Sequence, residues 1–242
     1  MTDNNSMNMG FLDHLEELRW RIIKSLMAMV LGSIISFNFI DNILTFLLSP
    51  TGNTSNPINL QVLSVQGMFL IKWFISFVSG LILALPIILF QLWKFITPGL
   101  KINEKRYAFP IVFFAFFAFI IGVSFGYFII IPFSLEFFSG ISSSHVENNF
   151  SIQYYFSYLI WILMGSGLIF QLPVVSLLLS LIGFLTPAFM RHYRRHSIII
   201  VLILSSIITP PDPVSMLIMA FPLIFLYEMS IGIVWIVNGR SS

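Results

Sequence analysis

The sequence predicts an all-α, polytopic membrane protein, and three observations predict it. Of the 242 residues, 57% are apolar and only 9% charged, whereas a soluble domain carries about 25% charged residues to keep its surface wet. The mean hydropathy is +0.94. The apolar residues gather in blocks long enough to cross a hydrocarbon core about 30 Å thick. The alternation of a membrane barrel is absent, so helices are the spanning element. There is no cysteine, which excludes disulfides, iron–sulfur centres, thiolate zinc sites and cysteine nucleophiles together.

Uninterrupted apolar stretches predict six helices, at about 22–42, 68–96, 107–131, 153–181, 197–208 and 214–236. Eleven of the twelve Lys and Arg residues then fall on one side: Arg19, Arg21, Lys24, Lys94, Lys101, Lys105, Arg106, Arg191, Arg194, Arg195 and Arg240, with Lys72 the exception. Because cytoplasmic loops retain Lys and Arg, both termini and segments 97–106 and 182–196 are expected in the cytoplasm. Segments 43–67, 132–152 and 209–213 then face the opposite compartment. The fifth and sixth helices read as short. Only thirteen residues separate Arg195 from Thr209, which as helix rise about 20 Å. The sixth runs from Val214 to Tyr227 before Glu228 interrupts it. A short pair either thins the bilayer locally or snorkels its basic flank to the surface.

The chain is expected to form a single transmembrane domain over 1–242, opening with a flexible N-terminus over 1–10. Residues 11–21 then predict an amphipathic cytoplasmic helix, in which Leu15, Leu18 and Ile22 recur at helical spacing. The first apolar block is too long for a cleaved signal peptide and follows an acidic helix, so it is expected to stay as a span. Glu17 and Arg21 can pair at i,i+4. That pairing reads as a solvated helix face, although carboxylates at a membrane surface also attract a cationic partner.

The run His14-Leu15-Glu16-Glu17-Leu18-Arg19-Trp20-Arg21 resembles the His-Leu-x-Glu-Leu-Arg-x-Arg signature of TatC, the polytopic subunit of the twin-arginine protein translocation system. Leu85-Pro86 through Pro98-Gly99-Leu100 with Glu104-Lys105-Arg106, then Phe170-Gln171-Leu172-Pro173-Val174, Thr209-Pro210-Pro211-Asp212 and Leu226-Tyr227-Glu228 follow in the same order. The resemblance spans roughly residues 10 to 235. It implies a curved six-helix bundle and a signal-peptide receptor and scaffold that exports folded proteins. The implied energy source is the proton-motive force. The implied partners are single-span TatA or TatB subunits, cargo with an Arg-Arg signal peptide, membrane lipid and further copies of the chain, with no cofactor.

A carboxylate accepts the planar fork of Arg in a bidentate way that Lys cannot reproduce. Two carboxylates on one cytoplasmic face therefore suit two guanidinium groups. Taken alone, Glu104 reads as a loop carboxylate neutralised by Lys101, Lys105 and Arg106. The resemblance carries the signal-binding role onto Glu17 and Glu104, with Leu18 and Phe95 at neighbouring positions of the same surface.

Polar residues inside the membrane are functional candidates by default. Gln171 stands where many TatC members have Glu, so it keeps hydrogen-bonding capacity without charge. Two readings are open for it: a polar contact to a partner helix, or satisfaction of a carbonyl freed by Pro173. Glu228 needs a partner or water, and either has a buried role or reaches the interface. Asp212 suits an N-cap of the next helix, with Pro213 in its first turn. Thr209 and Met216 resemble the docking edge for single-span partners, Met216 standing where many members have Gln. Pro50 and Pro86 match family positions and suit a turn and a kink. Gly122 and Gly126 form a GxxxG match compatible with close helix packing.

Other chemistries are disfavoured. His192 and His196 stand at a metal-compatible spacing, but Arg191, Arg194 and Arg195 surround them, which favours a solvated basic loop. Gly165-Ser166-Gly167 is better read as small residues permitting helix contact than as a serine protease site. No phosphate-binding loop, zinc-protease motif or nucleic-acid module is present. The chain is therefore not expected to be an enzyme or to bind metal or nucleic acid. The alternative from another class is a small-solute secondary transporter, which needs a polar site near the bilayer midplane. The short loops and motif match point to a bacterial inner membrane, with an organelle-encoded homologue the other origin.

Overall fold

The computed structural model describes residues 11–53, 58–96, 108–140, 149–209 and 212–238. Helices dominate: α1 (Phe11–Asn38), α2 (Ile40–Leu48), α3 (Gly67–Ile96), α4 (Ala108–Phe125), α5 (Ile131–Gly140), α6 (Ile152–Ile169), α7 (Leu172–Leu181), α8 (Pro187–His192), α9 (Arg194–Ile208) and α10 (Pro213–Asn238). Among the described residues, five helical stretches are long and apolar enough to cross a membrane: His14–Asn38, Gly67–Ile96, Phe109–Gly140, Ile152–Leu181 and Pro213–Val237. The protein is therefore a multi-pass membrane protein. Helix α9 is the exception. Its 15 residues rise about 22 Å, short of the hydrocarbon core.

The sixth helix follows its expected bounds of 214–236 but is not short: α10 runs 26 residues from Pro213 to Asn238, straight through Glu228. Within it Glu228 Oε2 meets Arg194 Nη2 of α9 at 2.7 Å, so the carboxylate has a partner without interrupting the helix. Asp212 does cap α10 as its sequence predicts. Its Oδ2 accepts the Ser215 N–H at 2.6 Å, and Pro213 opens the helix.

Two compact units are defined by contacts: Met1–Phe39 with Phe74–Phe116, and Ile40–Trp73 with Phe117–Ser242. In the first, α1 and α3 approach at two glycines. A Cβ on Gly32 would lie 2.6 Å from the Gly80 carbonyl oxygen, closer than non-bonded atoms allow. Lacking side chains, these residues let the two backbones touch. Pro86 sits inside α3, which runs on past it.

In the second unit, Gly122 and Gly126 of the predicted GxxxG pair face α6. A Cβ on Gly122 would lie 2.7 Å from the Ser166 carbonyl oxygen and 2.8 Å from Phe170 Cβ. Gly167 packs on the Phe119 ring. The Gly-Ser-Gly run is thus a helix contact. A π-helical turn over Gly126–Ile130 joins α4 to α5. The Tyr127 hydroxyl donates to the Phe46 carbonyl, and Tyr155 donates to Leu47 at 2.7 Å. Together they occupy carbonyls at the end of α2, which the helix itself leaves unpaired. Pro50 is buried in the 3₁₀ turn that follows.

A parallel strand pair, Asn59–Gln61 with Asn149–Ser151, joins the two loops that the charge pattern assigns to one face. On the same unit Lys72, the one cation that the charge pattern sets apart from the others, meets Asp41 at 2.7 Å. Helix α10 packs against α7, α8 and α9, where Met190, Ile231 and Val234 form a buried cluster.

Candidate functional site

The N-terminal end of α1 and the C-terminal end of α3, both in the first unit, bring together three of the four residues expected to bind a signal peptide. Helix α1 is amphipathic there, so Glu17 and Leu18 lie partly covered while Leu15, Glu16, Arg19 and Trp20 are exposed. Glu17 Oε1 accepts from Arg21 Nε at 3.1 Å and also from Arg21 Nη2. Both side chains are mostly buried, at 17% and 16% exposure. The i,i+4 pair read from sequence is thus a sheltered one, and burial strengthens such a contact relative to an exposed pair.

Helix α3 supplies the other wall. Phe95 stacks on His14 with ring centroids 4.3 Å apart and an interplanar angle of 14°. The His14 Nδ1 lies 3.6 Å from Glu17 Oε2. Arg21 Nη1 reaches Gln91 Oε1 at 3.5 Å. Below these polar groups, Leu18 and Phe95 help to line an apolar cavity of about 320 Å³, walled further by Ile22, Leu26, Ile88 and Leu92. A carboxylate held next to an apolar groove, here through Arg21 of its lining, can bind a guanidinium while hydrocarbon packs in the groove. Glu104 lies outside the described residues.

His14 and Gln91 escaped the sequence reading as site residues. Both stand within the motif runs, and Gln91 lies four residues before Phe95, on the same face of α3. That spacing was the available signal.

The remaining predicted positions lie apart from this patch, in the second unit. Gln171 sits at the break between α6 and α7, where Pro173 withholds an N–H from the helix. Its carbonyl accepts the Val175 N–H at 2.9 Å. The side chain does not cap α7. Thr209 is buried and turns its hydroxyl back to the Ser205 carbonyl at 2.7 Å. Met216 is partly buried in the second turn of α10. Glu228 is exposed and paired with Arg194 at 2.7 Å. His192 and His196 flank Tyr193, and no metal-competent group of side chains occurs among the described residues.

Comparison with known proteins bears on the family. The model of the TatC family, the Sec-independent protein translocase protein, matches residues 13–222. The chain is 35% identical over 230 residues to the Sec-independent protein translocase protein TatC of Halalkalibacterium halodurans, across 95% of this chain and 90% of that one. It is 36% identical over 226 residues to the protein of the same name from Helicobacter pylori, across 93% and 88%. A crystal structure of the twin arginine translocase receptor TatC shares 34% identity at a TM-score of 0.78, covering 91% of this chain and 97% of that chain. With the ordered motifs, the spans and the fold all in agreement, the chain belongs to the TatC family of protein translocase subunits.

Proposed function

We propose that the chain is the signal-peptide receptor and scaffold of a twin-arginine translocase, exporting folded proteins across a bacterial inner membrane at the expense of the proton-motive force. Six spans with both termini in the cytoplasm fit the clustering of Lys and Arg, with α9 as a short crossing. Glu17 and Glu104 jointly read the two arginines of the signal. Leu18 and Phe95 receive the hydrocarbon beside them. The observation that carries this reading is the sheltered Glu17 carboxylate, paired with Arg21, which lines an apolar groove together with Leu18 and Phe95. Transport of a small solute finds no comparable support, and family membership sets that alternative aside.

Single-span TatA or TatB subunits dock along α9 and the start of α10, around Thr209 and Met216. Exposed Ile199, Ile203 and Ile207 on α9 and Leu217 on α10 offer an apolar edge. The inward-turned Thr209 hydroxyl supports a structural rather than a contact role for that side chain. Gln171 serves the helix break, and further copies of the chain complete the receptor complex in lipid.

A photoreactive residue at Phe95 tests the receptor reading. It should crosslink to an Arg-Arg precursor and lose the product when the pair is changed to Lys-Lys. Equal crosslinking of both precursors would overturn the assignment.

A further inference from the structure

We infer that Arg21 is a resident guanidinium that an incoming signal arginine must displace from Glu17, and that Gln91 is the seat to which it withdraws. The inference rests on the proposed role of Glu17 and deepens it. A fork-to-fork pair between Arg and a carboxylate uses both oxygens. Here both donors of Arg21 converge on Oε1, while Oε2 is buried, makes no hydrogen bond among the described residues and has His14 Nδ1 at 3.6 Å. The tether of one helical turn brings Arg21 to one side of the carboxylate only.

A signal arginine approaching Oε2 gains one hydrogen bond while Arg21 stays in place. It gains the full fork only when Arg21 releases Oε1. Arg21 has a place to go, because its Nη1 already stands 3.5 Å from Gln91 Oε1. Among the described residues lining the groove, Gln91 supplies the one side-chain carbonyl, and most of the rest are apolar. Moving onto Gln91 keeps the guanidinium hydrogen-bonded at a neutral acceptor, so displacement does not strand a sheltered charge. Arg21 therefore lowers the affinity of the free receptor for every guanidinium, and Gln91 limits that penalty.

The test is equilibrium binding of a fluorescent synthetic Arg-Arg signal peptide to the full chain in lipid nanodiscs. Arg21→Gln should tighten binding by about tenfold to hundredfold, the size of one sheltered charge-assisted hydrogen bond. Gln91→Met should weaken binding several-fold in the wild-type background and leave it unchanged when combined with Arg21→Gln, because Gln91 acts through Arg21. Unchanged or weaker binding by Arg21→Gln would overturn the inference, as would an equal effect of Gln91→Met in both backgrounds. If Arg21→Gln fails to fold, Arg21→Lys decides: it loses the fork, so it should bind more tightly than wild type, and equal or weaker binding counts against the proposal. Glu17→Gln in the same assay separates the two ideas. Wild-type affinity in that variant removes the Glu17 reading, whereas lost affinity with no gain from Arg21→Gln removes the Arg21 inference alone.

Discussion

Replacing Gly122 with Ala places one methyl group where α4 meets α6. Its Cβ would stand 2.7 Å from the Ser166 carbonyl oxygen and 2.8 Å from both Phe170 Cβ and Cγ. Ordinary contact needs about 3.4 Å or more, so the helices must part by roughly 0.7 Å, and neither a backbone carbonyl nor a Cβ can swing aside. Overpacking of this kind costs about 1–3 kcal/mol, set against up to about 1 kcal/mol gained from replacing a helical glycine. A net loss of about 1–2 kcal/mol follows, lowering the apparent melting temperature by about 2–8 °C for a chain of this length. Gly232 is the control, since a Cβ there meets nothing within 4 Å and Gly232→Ala should hold or raise stability. Thermal unfolding of the purified variants in one detergent measures both. Equal stability of Gly122→Ala and wild type, or a reversed order of the two variants, would refute the close α4–α6 contact.

Asp212→Ala removes the acceptor of the Ser215 N–H and should cost about 0.5–2 kcal/mol in the same melt, with Asp212→Asn recovering most of it. Glu228→Gln breaks a pair whose side chains are 45% and 49% exposed; solvent screening holds the stability change below about 1 kcal/mol, and export of a reporter cargo should stay within about twofold of wild type. Lys72→Met removes a contact to the largely exposed Asp41 and should change the melt by no more than about 0.5 kcal/mol.

The helical blocks were legible because burial in lipid demands long apolar runs and internally paired backbones, and both leave a direct mark on the sequence. The Asp212 cap, the Glu17–Arg21 pair and the Gly122 contact were legible for a similar reason: each is local or has a fixed spacing. What escaped reading depends on partners far along the chain. Glu228 finds its partner in Arg194, 34 residues away. The approach of Gly32 to Gly80 joins single glycines on different helices, with no spacing to announce it. Strands of three residues in polar loops carry too few alternations to show a period. Gln91 is an ordinary polar residue until Arg21 is found beside it.

The two-carboxylate receptor is tested most directly by the affinity of a synthetic Arg-Arg signal peptide for the full chain carrying Glu17→Gln, Glu104→Gln or both. Loss of a sheltered charge-assisted contact predicts about tenfold to hundredfold weaker binding in each single variant. The Lys-Lys peptide should bind wild type weakly and respond little to either change. Wild-type affinity for the Arg-Arg peptide in both single variants would contradict recognition of the two arginines by these glutamates.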